Sequence, residues 1–284
     1  MPECQRLISL DHPTTPGLNP LQTIALAHEL GCDAVVLRLR NYPDYQGNPY
    51  DVIADRAMRR KIHDEVQARG MFIAAANAFE IRAGTPVSAA QAQLEAAAEI
   101  GARGVSVVVY EQDRSKHFDQ ISEYAELCRK LQLRMLLEFL AVSGVNSLAY
   151  TLELIRNVAN PALGISADSL HIARTGATAA DISAVPAGLI AHAQLNDGPA
   201  HVPAEQQMDE ARGERLLPGE GSFDLIGLVR ALPPDVPIGV EAGSRTRFVS
   251  GVTMQDHGRA AVAAMRSVIA QALQLESEAP SPLW

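Results

Sequence analysis

Residues 104–140 read GVSVVVYEQDRSKHFDQISEYAELCRKLQLRMLLEFL, and two periodicities alternate within them. GVSVVV, from Gly104, is a short β-branched run that suits a strand buried on both faces. Phe118–Leu131 carries its apolar residues at helical spacing, and RMLLEFL, from Arg134, returns to strand character. Strand, helix, strand in so few residues is one parallel crossover unit.

The same alternation extends in both directions. Upstream, RLISL (from Arg6) precedes a helix near Leu21–Leu30, AVVLRL (from Ala34) one near Ala54–Arg69, and FIAAA (from Phe72) one near Ser88–Ile100. Downstream, RMLLEFL precedes Ser147–Val158, LGISA (from Leu163) a short helix near Ala179, LIAHAQL (from Leu189) one near Leu225–Leu232, and PIGVEA (from Pro237) Met254–Leu275. Gly31, Gly70 and Gly101 stand where a left-handed residue closes a helix, and Ser88 and Ser147 where an N-cap is wanted. Eight βα units in 284 residues predict an α/β chain folded as a single (β/α)8 TIM barrel, over 1–275, with a Pro- and Ser-rich tail at 276–284. An open doubly wound sheet lacks its glycine-rich turn after the first strand. The long polar segment Asn196–Ser222 is expected to be functional.

Acidic residues outnumber basic ones, 33 to 24, for a net charge of −9. With no basic run to offset it, that field argues against a nucleic-acid partner. No apolar stretch approaches membrane-spanning length and no basic-then-apolar leader opens the chain, so a cytoplasmic protein is expected. Cys4, Cys32 and Cys128 match no paired or metal-binding spacing and read as buried thiols in a reducing compartment.

Barrel chemistry gathers at the C-terminal ends of the strands. Strand five ends with Glu138 in LLEF, and strand six with Asp168 in ISADSLH, three residues before His171. Strand seven carries His192 and Gln194 in AHAQLND, two apart and so on one face, and strand eight ends with Glu241 in GVEAGS. Burying two Glu and an Asp together costs many kcal/mol without a compensating cation. Hard oxygen donors suit Mg²⁺ or Mn²⁺, and a nearby imidazole or amide brings Co²⁺ or Zn²⁺ within range. Arg38, Arg40, Glu80 and His12 are weaker candidates for the same mouth.

These strand ends resemble those of the xylose-isomerase-like (sugar phosphate isomerase/epimerase) barrel superfamily, and the Gln in AQLND is similar to its hydroxypyruvate isomerase and 3-dehydroshikimate dehydratase branches. The resemblance runs from LGCDAVVLRLR (Leu30) to the last helix. It implies one divalent metal ion held by Glu138, Asp168, Gln194 and Glu241. DSLHIARTG resembles the family's strand-six segment, which makes His171 and Arg174 counterparts of its His and Arg, and RLLPGEGSFDL resembles the loop that sets Arg215 near the mouth.

The expected chemistry is isomerisation or epimerisation of a small sugar or hydroxy-keto acid by proton transfer through a metal-stabilised enediolate, with Glu138 and Glu241 as the exchanging pair. The alternative is a dehydratase of the 3-dehydroshikimate or inosose type, in which the same enolate expels a β-hydroxyl and His171 or His192 protonates it. Arg174 and Arg215, with His192, are expected to bind substrate, the arginines through an anionic group. His171 has a second reading, as a residue that fixes Asp168, and His192 as one that supports the site from behind. The endonuclease IV branch needs more histidines and a basic face than this chain has. A binding protein without catalysis has no use for three costly carboxylates. The helical exterior would permit a homo-oligomer.

Overall fold

Each apolar run becomes a strand because its residues are covered on both faces, by the barrel interior and by the helices. In the computed structural model, residues 6–41 and 49–278 are described. The first half runs β1 (Ile8–Asp11), α1 (Pro20–Glu29), β2 (Ala34–Arg38), α2 (Arg56–Ala68), β3 (Phe72–Ile81), α3 (Gln91–Glu99), β4 (Gly104–Val109) and α4 (His117–Lys130). The second half runs β5 (Arg134–Glu138), α5 (Leu148–Val158), β6 (Leu163–Asp168), α6 (Ser169–Thr175), α7 (Ala179–Ser183), β7 (Ile190–Leu195), α8 (Gln207–Gly213), α9 (Leu225–Ala231), β8 (Ile238–Val240), α10 (Arg245–Val249) and α11 (Met254–Glu278). The eight strands form a closed barrel in sequence order. All neighbours are parallel, and β1 closes on β8 with Ile8 opposite Ile238.

The main core lies between strands and helices, with Leu37, Ile73, Val107, Leu137 and Ile165 facing Ile24, Ile62, Leu94, Ile121 and Leu154. Register aligns the functional strand ends. Val108 pairs with Glu138, Asp168 with Gln194, and Gln194 with Gly239. Glu241 follows β8 directly, two residues beyond Gly239.

Gly31, Gly70 and Gly101 adopt φ of 65°, 66° and 83°, as the helix-closing reading requires, and Ser147 caps α5 by accepting from Tyr150 N. Ser88 is a correction. It lies inside a 3-10 turn, Val87–Ala90, and α3 starts at Gln91 without a side-chain cap. Two further departures concern the mouth. Asp168 caps a separate short helix, α6, so His171 is helical. The segment expected as one long loop, Asn196–Ser222, contains a 3-10 turn, Ala204–Gln206, and α8.

Helix α11 continues to Glu278, past the expected start of the tail at 276, and residues 279–284 lie outside the described residues. Cys32 and Cys128 are buried free thiols, and burial pushes both up to about 12, so they stay protonated. Cys4 lies outside the described residues. Among the described residues no helix is long and apolar enough to cross a membrane.

Candidate active site

Asp168 is fixed by its own backbone turn. Its Oδ1 accepts from Leu170 N at 2.8 Å, capping α6, and from Asn196 Nδ2 at 2.8 Å. The other oxygen, Oδ2, accepts from Arg215 Nη1 at 2.7 Å. Because α6 starts at that cap, His171 falls on its first turn and turns inward, 3.2 Å from Glu138 Oε1 and 3.8 Å from Asp168 Oδ2. Glu138 is held from the other side by Ser106 Oγ, which donates to its Oε2 at 2.6 Å. Glu138, Asp168 and His171 thus present ligand-capable atoms all within 4.8 Å of one another.

Glu241 joins through Arg215, whose Nη1 also donates to Glu241 Oε2 at 2.9 Å. The guanidinium lies between the two carboxylates and is steadied by Ala211 O, which accepts from its Nε and Nη2. Burial disfavours the charge on Arg215, but Asp168, Glu241 and Glu138 outweigh it and keep its pKa above the ordinary value. Burial also pushes the Asp168 carboxyl up, yet Arg215, His171 and its hydrogen bonds hold it at about 2. Glu241 goes the other way. Burial raises its carboxyl well above the usual carboxylate range, Arg215 only partly opposes this, and Asp168, Glu138 and Asp11 add to it.

A second polar layer lies beneath. Gln194 Oε1 accepts from Ser166 Oγ at 3.1 Å, and its Nε2 donates to Asp11 Oδ2 at 3.1 Å. Asp11 Oδ1 accepts from Ser9 Oγ at 2.7 Å. His192 is buried below the mouth, its Nε2 3.2 Å from Ser9 Oγ and 3.7 Å from Asp11 Oδ2. Gly239 makes room for this layer, since a Cβ there would lie 2.3 Å from Asp11 Oδ1. Asp11 escaped the sequence reading, although it ends strand one just as Asp168 ends strand six.

Above the carboxylates opens a cavity of about 430 Å³, walled by Glu138, His171, Arg215 and Glu241 together with Asn77, Tyr110 and the arginines Arg38, Arg212 and Arg245. Glu80 also lines it, paired with Arg82 at 2.5 Å. Arg40 instead turns to Asp51 at 3.1 Å. His12 is fully buried, accepts Arg38 N–H at Nδ1 and faces Leu18 O with Nε2, so it positions Arg38. Asn77 is buried, and its Oδ1 has no hydrogen-bond partner among the described residues.

Two expected substrate contacts do not line this cavity. Arg174 forms a two-pronged pair with Glu210 at 2.8 and 2.6 Å and donates to Pro199 O, so it ties α6 to α8. His192 sits in the layer below. The sequence reading missed Asp197, whose carboxylate accepts from Gly198, Gly219 and Phe223 N–H and so shapes the turn after Arg215.

The donor set suits a divalent cation. Glu138, Asp168 and Glu241, with Asp11 below, face one guanidinium and the imidazoles of His171 and His192, so four buried or half-buried carboxylates meet a single fixed positive charge. Three carboxylates and an imidazole are a donor set for Mg²⁺, Mn²⁺, Co²⁺ or Zn²⁺.

The family model described as xylose isomerase-like TIM barrel matches residues 24–267. Among solved structures, the chain is similar to the IolI protein with a bound zinc atom, at 18% identity and TM-score 0.79, covering 94% of this chain and 99% of that one. It is similar to an L-ribulose 3-epimerase at 14% identity and TM-score 0.72, covering 99% and 100%. It is also similar to the probable 3-DHS dehydratase AsbF, involved in petrobactin synthesis in Bacillus anthracis, at 16% identity and TM-score 0.71, covering 91% and 98%. No curated protein matches the sequence.

Proposed function

Since the chain belongs to the xylose isomerase-like TIM barrel family, we propose that it is a divalent-metal-dependent isomerase or epimerase acting on a small polyhydroxylated carbonyl compound. The observation that carries this reading is the convergence of Glu138, Asp168 and His171 within 4.8 Å, with Glu241 joined to Asp168 through Arg215. Glu138, Asp168 and Glu241 would hold the ion, with His171 as a further donor at hand; Gln194, the fourth ligand expected, has its Oε1 on Ser166 and its Nε2 on Asp11 in the layer below. A divalent ion bound there supplies a Lewis acid that polarises a carbonyl and makes the neighbouring C–H acidic.

The protein's own groups carry the proton. Glu138, held by Ser106, takes it from the carbon beside the carbonyl, and Glu241, three strands further round the barrel, returns it to the adjacent carbon or the opposite face. Arg38 and Arg212 on the cavity wall supply charge and forked donors for an anionic group, which favours a hydroxy-keto acid over a neutral sugar, while Arg245 is engaged by Asp209 and Glu214.

One contact favours a second reading. His171 Nε2 lies 3.2 Å from Glu138 Oε1, so an acid stands beside the base, and a departing β-hydroxyl can be protonated as the C–H proton leaves. That sequence is dehydration, the work of a lyase.

The test has two stages. Metal content is measured for wild type, Glu138→Gln and Asp168→Asn, with Mn²⁺ back-titration. One ion in wild type, lost in both variants, supports the site. The loaded protein is then incubated in D₂O with ketoses and with cyclic β-hydroxy keto acids. Deuterium beside the carbonyl with the hydroxyls retained supports isomerase chemistry, and a new conjugated enone moves the assignment to a lyase. No bound ion in wild type overturns the proposal.

A further inference from the structure

The opposite end of the barrel has a cavity of its own, of about 270 Å³, among the first residues of β3, β4, β5 and β7. Two arginines reach it. Arg134, the first residue of β5, donates from Nη2 to Leu163 O and Gly188 O, each at 3.0 Å. Its Nε is buried without a partner. The guanidinium can lie there because residue 164 is glycine, where a Cβ would stand 2.5 Å from Nη2. Arg103 stacks on Phe72 with its guanidinium carbon 3.5 Å from the ring centroid.

Neither guanidinium forms an ion pair with a described carboxylate, although acids outnumber bases 33 to 24 along the chain. Elsewhere, arginines find acids readily, as Arg59 does Glu99, Arg82 Glu80, Arg174 Glu210 and Arg247 Glu220. Asp235 also lines the cavity but pairs with neither. Burial lowers the pKa of both arginines, so each gains from an anion brought close.

We propose that Arg103 and Arg134 form an anion site on the barrel floor, shaped for the phosphate of a small phosphate monoester. Two planar forks, one just before β4 and one at the start of β5, suit a group with at least three acceptor oxygens better than a single carboxylate. The room beyond a bare phosphate, walled by Leu136, Ile190 and Pro237, accommodates a compact organic remainder. This site is independent of the chemistry at the mouth.

Inorganic phosphate is the probe, titrated calorimetrically into the full-length, metal-free protein at fixed ionic strength with chloride as the replaced anion. Wild type is expected to bind phosphate saturably. Arg103→Gln, at an exposed position that the fold tolerates, weakens it about tenfold or more. Arg134→Lys, which keeps the charge but loses the fork, weakens it as well. Arg212→Gln at the mouth leaves it unchanged. A wild type without saturable binding overturns the proposal, as does an Arg103→Gln variant that binds like wild type. In the second case, loss in Arg212→Gln identifies the mouth as the seat of the anion.

Discussion

The two halves of the barrel mouth are built differently. On the side of β5–β8, Asp168, Gln194 and Glu241 are 0%, 2% and 5% exposed. There Glu138 has one oxygen fixed by Ser106 and the other turned to His171, while Asp168 has both oxygens held, one by the α6 turn and Asn196, the other by Arg215. On the side of β1–β4, the wall is made of Arg38, Asn77, Glu80 and Tyr110, longer or less committed side chains. A cation needs donors that stay in place, because each ligand that relaxes costs affinity. A substrate needs groups that reach, and these tolerate some freedom. Under the proposed function, the difference would separate a side that holds the ion from a side that selects the substrate.

Substituting across that divide should separate the roles. Glu138→Gln should lower turnover about 10⁴-fold with the fold intact, because it removes both a proton carrier and a ligand. Arg38→Gln, at the end of β2 on the cavity wall, should instead raise KM about tenfold with kcat little changed. Steady-state kinetics on whichever substrate exchanges deuterium decides this, and equal kcat losses in both variants would erase the distinction.

Next in size is Arg215→Met. It leaves Asp168 and Glu241 buried without their shared partner and should destabilise the metal-free protein by about 3–5 kcal/mol. Saturating Mn²⁺ should restore part of the loss, since a divalent ion supplies the missing charge. Urea unfolding with and without the ion checks both, and a stability equal to wild type without metal would mean that Arg215 does not hold the carboxylates.

The reaching side has its own pH signature in His12. Burial lowers its pKa to about 4 from 6.5. Between those values the unfolded chain binds a proton that the native imidazole refuses, so stability falls as pH drops through the window and levels off below 4. The residue's share is about 3 kcal/mol. His12→Gln should flatten the stability profile between pH 4 and 6.5, and an unaltered slope would assign the loss to other groups.

The smallest effect is expected at Asn77. Its buried amide oxygen has no partner in the fold, so Asn77→Ala should leave stability within about 0.5 kcal/mol of wild type. KM should rise about tenfold if a substrate hydroxyl supplies the missing donor. A large loss of stability with KM unchanged would make Asn77 a scaffold residue.

Much of this was legible in one dimension. Strand and helix periods, helix-closing glycines and acidic residues at the same place in successive strands are local signals, and a closed barrel brings equivalent places together. Glu138, Asp168, Gln194 and Glu241 therefore emerge from spacing, and the register of neighbouring strands brings their ends to one side of the barrel. Arg174 did not follow that logic. Its segment points to the mouth, but Glu210, 36 residues on, takes its guanidinium. Asp11 went unread because its partner, Gln194, is 183 residues away.

The sequence by itself determined the barrel, the strand ends that bear charge and the excess of acid among them, because these follow from hydrophobic period and residue type. Only the tertiary structure decided which partner each carboxylate oxygen meets, that Arg215 lies between Asp168 and Glu241, that His192 is withdrawn beneath the site, and that α8 overhangs the mouth. Those outcomes depend on side-chain reach across strands distant in the chain, where competing partners are settled by distance and burial rather than by order along the backbone.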